Sequence, residues 1–462
     1  MLTTTAISYT NGKPHVGHLY ELILADFLAR KDGRPLLSGT DEHGKKIESV
    51  AKLCGESPYD FCTRHSALFK SLVVTTQANV SRFIRTTDSD HIEFVQACIL
   101  RAHAKGDIYL SSYEGWYSTR EETYVSESDA AESDFKDPVS GIPYEKISEP
   151  AYFFRLSKYQ SDILAALKHI DIQPASALSS IEERIHNLKD ICISRSSFRW
   201  GIPFPIGDGH CVYVWFDALL NYITGARSLG YTGPIRHVIG KDIVWFHTAI
   251  YLGILLSCDL LTEYIPTQIL VHGFVTDERG VKMSKSLGNV VDVDTLFAEF
   301  PIEAIRFYFL FRDNTTGGGI HFSREDLVAY YNNILVKQFG NLFQRIIAVS
   351  IPVEVELNTW LSDASTCPYI PICEGTNTAD YFTTIQRLLA DANSALQTAK
   401  PWEKEGSDRV AILGPQIQNL LMIMKLLEPV IPTKIQELYG YLGWDRKSLH
   451  LMREKKRAFI LL

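Results

Sequence analysis

The sequence predicts an α/β protein: a parallel-sheet domain, an inserted subdomain within it, and an all-α bundle after it. Three observations carry this. Strand, loop and helix alternate through the first third of the chain. That rhythm stops near Gly106 and returns at Tyr213. Beyond about Tyr330 the apolar spacing is helical throughout. The 462 residues suffice for two to four domains at roughly 150 residues each.

In chain order, Thr3 to Ser8 is rich in β-formers and ends in the turn Asn11-Gly12-Lys13-Pro14. A helix is predicted from near Gly17, with Leu19, Leu22, Ile23 and Phe27 on one face. Arg34 to Ser38 forms a second strand ending in Gly39-Thr40-Asp41, and a helix follows through Ile47 and Val50. From 106 to 203 the composition is mixed, with a polar turn region at Ser126 to Ile142, and reads as the insertion. The α/β rhythm resumes at Tyr213 to Asp217 and at His237 to Asp242, and a strand from Thr267 to Val271 leads to His272-Gly273. Helices are predicted near 331–349, 379–399, 411–427 and 433–442, with prolines 352, 368, 371, 401 and 432 between them. The domain limits are therefore 1–105 and 204–325 for the two sheet halves, 106–203 for the insertion and 326–462 for the bundle.

With 46 basic and 54 acidic residues, the net charge is −8. This excludes a uniformly basic nucleic-acid binder but leaves room for a local basic face, such as Arg453 to Arg457. A hydrophobic fraction of 46% excludes global disorder. The eight cysteines form no CxxC pair, which points to reduced, mostly buried thiols in a soluble intracellular protein. The apolar stretch 243–261 is broken by His247, Ser257 and Asp259 and reads as a core helix, so no membrane partner is expected. The start MLTTTAISY lacks the features of a leader, which favours the cytoplasm; an organelle with a cleaved leader is the alternative.

Two motifs carry chemistry. His15-Val16-Gly17-His18 lies between a strand and a helix start, where open parallel sheets bind ligands and free N–H groups suit phosphate. Lys282-Met283-Ser284-Lys285-Ser286 lies between Gly280 and Gly288, and its cations can neutralise phosphate charge developing in a transition state. Gly39 to Lys46 nearly fits a P-loop, but Lys46 stands where a hydroxyl would hold Mg²⁺, so a P-loop NTPase is rejected.

In that order, HVGH and KMSKS resemble the class I aminoacyl-tRNA synthetases. The intervening segments resemble the methionyl-tRNA synthetase family: Ile7-Ser8-Tyr9-Thr10-Asn11-Gly12-Lys13-Pro14-His15, Gly39-Thr40-Asp41-Glu42-His43-Gly44, Tyr113-Glu114-Gly115-Trp116-Tyr117, Ile193-Ser194-Arg195, Trp215-Phe216-Asp217-Ala218-Leu219, Gly240-Lys241-Asp242 and Phe246-His247. The likeness runs from residue 3 to about 402. It implies a Rossmann-like catalytic domain with a connective insertion, an anticodon-binding bundle, and ATP-dependent activation of L-methionine followed by transfer to tRNA.

The resemblance also implies roles. His15 and His18 contact ATP phosphates, with Gly17 beneath the adenine. Lys285 meets the pentavalent phosphate, and Lys282 and Ser284 support it. Asp41 takes the methionine ammonium. Arg195 lies near the carboxylate or is tied to Asp242. Ile7, Tyr9, Trp215, Ala218, Tyr222, Ile243 and His247 line the thioether slot. Asn341 and Arg345, at i and i+4, and Trp402 read a CAU anticodon. Without the resemblance, Trp215 and Tyr222 read as core aromatics and Asp217 as a cap.

ATP brings Mg²⁺ as its companion. No structural zinc is expected, because the positions matching the zinc knuckles of many relatives, 117–124 and 134–144, hold no Cys or His. Tyr251-Leu252-Gly253 departs from the Tyr-Trp-Pro often found in the family, which leaves the pocket wall open in detail. The insertion has little room for a large editing domain. A monomer is expected. A class I ligase for another apolar amino acid and a non-enzymatic tRNA-binding paralogue stay open as alternatives.

Overall fold

A computed structural model describes residues 1–119, 123–125, 127–283, 288–313, 318–361, 375–443, 451, 458 and 459. The chain forms two compact units: Met1–Ala25, Asp32–Val74 and Ala78–Gly273 in the first, and Asp26–Lys31, Thr75–Gln77 and Phe274–Leu462 in the second.

The first unit is built on a seven-stranded sheet in which every pairing is parallel. Its order is Ser8–Tyr9, Leu36–Asp41, Leu2–Thr5, Ile235–Gly240, Pro266–His272, Asp171–Gln173, and Val80–Arg85 also pairs with Leu36–Asp41. Leu36–Asp41 and Ile235–Gly240 are buried along their whole length, as strands covered on both faces must be. The pairing of Thr3 with both Leu36 and Arg236 puts the N-terminal strand at the centre. From there the chain first builds outward through Leu36–Asp41 and Val80–Arg85. It later returns to the opposite side of Leu2–Thr5 with Ile235–Gly240. The carboxyl ends of these two neighbours thus form a topological switch point, where such sheets open a crevice.

The predicted strand from Thr3 to Ser8 is two short strands, Leu2–Thr5 and Ser8–Tyr9. Ala6 and Ile7 leave the sheet between them, which frees both to face the crevice. Tyr213 to Asp217, read as a return of the α/β rhythm, is not strand: Val214–Leu219 is a helix. Burial, not strand geometry, explains its apolar run, since Val214, Phe216, Ala218 and Leu219 all enter the core. The apolar stretch near 243–261 is the buried helical segment Phe246–Ser257, which opens with a wide π-type turn, Phe246–Ile250.

Gly39 is required by close approach. A Cβ there would collide with the Ile84 carbonyl of the neighbouring strand.

The inserted stretch contributes an antiparallel four-stranded sheet, Thr123–Val125, Ile108–Ser118, Glu145–Phe154 and Ile191–Cys192. Its polar turn is held by Asp137, whose carboxylate accepts from the Val139 and Ser140 amides at 2.9 and 2.7 Å, and by Trp116 packed on Phe135. Among the described residues, no three His, Cys, Asp or Glu side chains gather in a way that could hold a metal ion.

The second unit is mainly helical, with Tyr331–Gly340, Asn341–Ser350, Thr378–Ala399, Gly406–Leu427 and Pro432–Leu442 close to the predicted spans. Gly406–Leu427 is long and apolar enough to cross a membrane, but Leu413, Ile417, Leu420, Ile423, Met424 and Leu427 are core residues. The fully buried Arg306 pairs with Asp26 at 2.7 Å and donates to the carbonyls of Thr76, Pro429 and Val430. Such complete partnering is what makes a buried guanidinium tolerable.

Candidate active site

At the switch point lies a cavity of about 240 Å³. It is lined by Ala6, Ile7, Tyr9, Asp41, Val214, Trp215, Ala218, Leu219, Tyr222, Ile243 and His247. Each side comes from a different element. Ala6, Ile7 and Tyr9 follow the central strand, and Asp41 ends Leu36–Asp41. Val214 to Tyr222 belong to two short consecutive helices, and Ile243 and His247 follow Ile235–Gly240.

The cavity therefore gathers Ile7, Tyr9, Asp41, Trp215, Ala218, Tyr222, Ile243 and His247 from the residues singled out in the sequence. Arg195 and Asp242 stand outside its lining. Arg195 is almost fully buried; its Nη1 donates to the Ser194 carbonyl at 2.9 Å, and its guanidinium lies 4.4 Å from the Tyr213 ring centre. Asp242 is exposed, next in the chain to the lining residue Ile243. Ala6, Val214 and Leu219 line the cavity without having been singled out; each is a small or aliphatic residue that any core position would accept, so the sequence carried no distinguishing signal.

The cavity carries one carboxylate, Asp41, the aromatic rings of Tyr9, Trp215, Tyr222 and His247, and aliphatic side chains elsewhere. Trp215 stacks on Phe246 with ring centres 3.5 Å apart, and its buried indole N–H finds no hydrogen-bond partner among the described residues. His247 donates from Nδ1 to the Ile243 carbonyl at 3.0 Å, so its Nε2 is the acceptor for the Tyr222 hydroxyl at 2.7 Å. Burial pushes His247 down to about 4, against the Ile243 carbonyl, which favours the charged form. The imidazole is thus neutral near pH 7. His237, bonded to Thr4 at 2.8 Å behind Tyr222, is held well below the ordinary range by burial and then by His247. Tyr251, which opens the segment that departs from Tyr-Trp-Pro, packs edge-on against Tyr222. The wall at this end is a stack of neutral aromatic rings, suited to a polarizable sulfur.

Also in this unit, the HVGH motif opens the helix Val16–Asp32. The amide of His15 donates to His18 Nδ1 and the amide of Gly17 to His15 Nδ1, both at 3.1 Å. Both Nδ1 atoms being acceptors, each neutral ring carries its proton on Nε2. Burial and then His15 keep His18 well below the ordinary histidine range. The rings lie 3.8 Å apart and tilted, a separation two imidazolium ions would oppose. A Cβ at position 17 would come within 2.9 Å of the His15 ring, so glycine there lets that ring fold over the helix start.

In the second unit, the base of the KMSKS loop is a tight turn. The Asp277 carboxylate accepts from the Arg279 and Val281 amides and from Asn289, which holds it below the usual carboxylate value. Lys282 is exposed, bridges to Thr276 in the backbone and lies 4.5 Å from the Phe274 ring centre. Ser284 and Lys285 lie outside the described residues, as does the basic tail 453–457.

Also in that unit, Arg345 lies 5.1 Å from the Trp402 ring centre and donates to Gln397 at 2.9 Å. Trp402 is 40% exposed, and Asn341 is exposed one turn before Arg345. Lys400, with φ 45°, ends the helix Thr378–Ala399 in a left-handed turn that presents Pro401-Trp402. The three singled-out residues thus form or flank one open ledge.

Fold and site together are those of a nucleotide-dependent α/β enzyme of the class I aminoacyl-tRNA synthetase type, and residues 1–347 match the family described as tRNA synthetases class I (M). The chain is 41% identical to the methionine–tRNA ligase of Rhizobium meliloti over 369 residues, covering 75% of this chain and 70% of that one. It is 32% identical to the methionine–tRNA ligase of Rickettsia prowazekii, covering 98% and 95%. Among solved structures, Mycobacterium tuberculosis methionyl-tRNA synthetase in complex with methionyl-adenylate superposes with a TM-score of 0.86 at 29% identity, covering 99% of each chain. The chain belongs to the methionyl-tRNA synthetase family of class I.

Proposed function

We infer that the chain is a methionine–tRNA ligase: it activates L-methionine with ATP to methionyl-adenylate and pyrophosphate, then transfers the methionyl group to tRNA. The observation that carries the site assignment is the switch-point cavity. It pairs one carboxylate, Asp41, with a neutral aromatic end of Trp215, Tyr222 and His247.

In this reading Asp41 binds the ammonium and the aromatic end receives the thioether. Ile7, Tyr9, Ala218 and Ile243 close the slot. A slot of this kind discriminates each methylene by roughly 1–3 kcal/mol. Arg195 and Asp242, outside the lining, are assigned to the carboxylate side. The methionine carboxylate attacks the α-phosphorus of ATP, the bond to the bridging oxygen breaks, and pyrophosphate leaves. His15 and His18 donate from Nε2 to the phosphates as neutral rings, so they add hydrogen bonds without repelling each other, and Gly17 leaves the nucleotide room. Lys285, supported by Lys282 and Ser284, neutralises the pentavalent phosphate. ATP arrives with Mg²⁺.

The functional division is assigned as catalytic halves at 1–105 and 204–325, a connective insertion without structural zinc at 106–203, from which Asp171–Gln173 nevertheless joins the parallel sheet, and an anticodon-binding bundle from 326. Trp402 offers a base a stacking platform, and Asn341 and Arg345 offer base-edge hydrogen bonds for CAU. A cytoplasmic monomer is the working state.

ATP–pyrophosphate exchange run with each amino acid separately tests the assignment. Strong exchange with methionine alone is expected; exchange with leucine and none with methionine overturns it.

A further inference from the structure

We propose that Asp217 is a positioning residue for the amino-acid cavity: clamped between His43 and His91, it sets the spacing between the wall that carries Asp41 and the wall that carries Trp215 and Ala218. The inference rests on the reading of that cavity as the methionine seat.

Asp217 is fully buried. A carboxylate so placed costs several kcal/mol unless its oxygens are satisfied. Both are: Oδ2 lies 2.6 Å from His43 Nδ1 and Oδ1 lies 2.8 Å from His91 Nε2. Burial works to raise its pKa, but His43 and then His91 outweigh it and hold the group below the usual carboxylate value. An anion only accepts, so both imidazoles donate to it.

The His43 arm joins two distant parts of the chain directly across the site. His43 is two residues beyond Asp41, on the loop before the helix Lys45–Cys54. That loop is pinned from its own side. Glu42, fully buried, accepts from Thr40 at 2.7 Å, from Arg85 at 2.7 and 2.8 Å and from Thr87 at 2.7 Å. Asp217 lies on the helix Val214–Leu219, between the lining residues Trp215 and Ala218. One hydrogen bond therefore ties the anionic end of the cavity to its apolar wall. The His91 arm backs it: His91 Nδ1 meets Thr224 Oγ1 at 3.0 Å, and neither His91 nor Thr224 lines the cavity. The two methylenes of methionine bound the span between its ammonium and its thioether. A clamp on the distance between their two seats governs which side-chain length fits.

Exchange kinetics with the full chain test this, with methionine and ATP varied in turn and with ethionine, one methylene longer, as the competing amino acid. Asp217→Asn keeps the shape but cannot accept from both imidazoles as an anion does. It is expected to raise the methionine KM about tenfold or more. The preference for methionine over ethionine falls, and the ATP KM stays within about twofold. His43→Gln cuts the same tie while leaving the anion its His91 partner, and it gives the same pattern should Asp217→Asn fail to fold. Asp107→Asn is the control for losing a buried carboxylate elsewhere; Asp107 is equally buried and accepts from Tyr159 at 2.5 Å and Ser257 at 2.8 Å. It is expected to lower Tm without moving the methionine KM or the ethionine ratio. If Asp217→Asn and His43→Gln behave like Asp107→Asn, the inference is overturned. If the unmodified chain shows no methionine-dependent exchange, the reading of the cavity itself fails instead.

Discussion

The switch-point cavity and the Trp402 ledge are opposites in construction. The cavity draws on segments more than two hundred residues apart, and each of its lining residues is buried or half-buried. The ledge takes three residues from one helix start and one turn, and leaves Trp402 40% exposed. The difference fits what each is proposed to hold. A small amino acid has few atoms, so selectivity needs enclosure, neutral walls and one placed charge. A base in a tRNA loop arrives on a large molecule that supplies other contacts, so an aromatic platform with hydrogen-bonding neighbours is enough.

The contrast predicts where function breaks. The largest effect is expected for Asp41→Asn, which leaves a buried ammonium without its counter-charge. A loss of about 2–5 kcal/mol in transition-state stabilisation should appear equally in ATP–pyrophosphate exchange and in tRNA charging. An effect on charging alone would remove Asp41 from the methionine seat. Next is Lys285→Ala, expected to slow exchange by roughly 10²–10³ with tRNA affinity largely intact; unchanged exchange would refute its role.

Trp402→Ala should cost charging about 1–3 kcal/mol and leave exchange alone. Equal loss in both assays would make the ledge a folding element, and the contrast with the cavity would collapse.

The smallest effect, per group, concerns pH. His18, His237 and His247 are held below the ordinary histidine value in the fold, so the unfolded chain takes up their protons first. Stability is then expected to fall as pH drops below about 6.5, by at most about 1.4 kcal/mol per unit for each histidine. For His247 the loss levels off near pH 4. Denaturant midpoints at pH 7.5, 6 and 5 read this directly, and a flat series would contradict the buried neutral rings.

Much of the cavity was legible in the chain because its residues sit beside motifs whose spacing is strict. HVGH marks the helix start, Gly39-Thr40-Asp41 the end of a strand, and Trp215 to Tyr222 one wall. What could not be read is set by pairing across long separations. The switch point exists because Leu2 pairs with Ile235, and no local pattern announces that. Val214–Leu219 looked like sheet rhythm because deep burial gives helices and strands alike an unbroken apolar run. Asp217 reads as a cap by its place in the first helical turn, yet its partners lie 174 and 126 residues away. The ledge was legible in another way: Asn341 and Arg345 share a face by spacing, but only the fold brings Trp402 over the guanidinium.

The most direct test of the account is a crystal structure with a non-hydrolysable methionyl-adenylate analogue. The account predicts the ammonium on Asp41, the thioether between Trp215 and Tyr222, and the phosphate toward the Nε2 atoms of His15 and His18. An analogue bound elsewhere, with the switch-point cavity filled only by water, would contradict it.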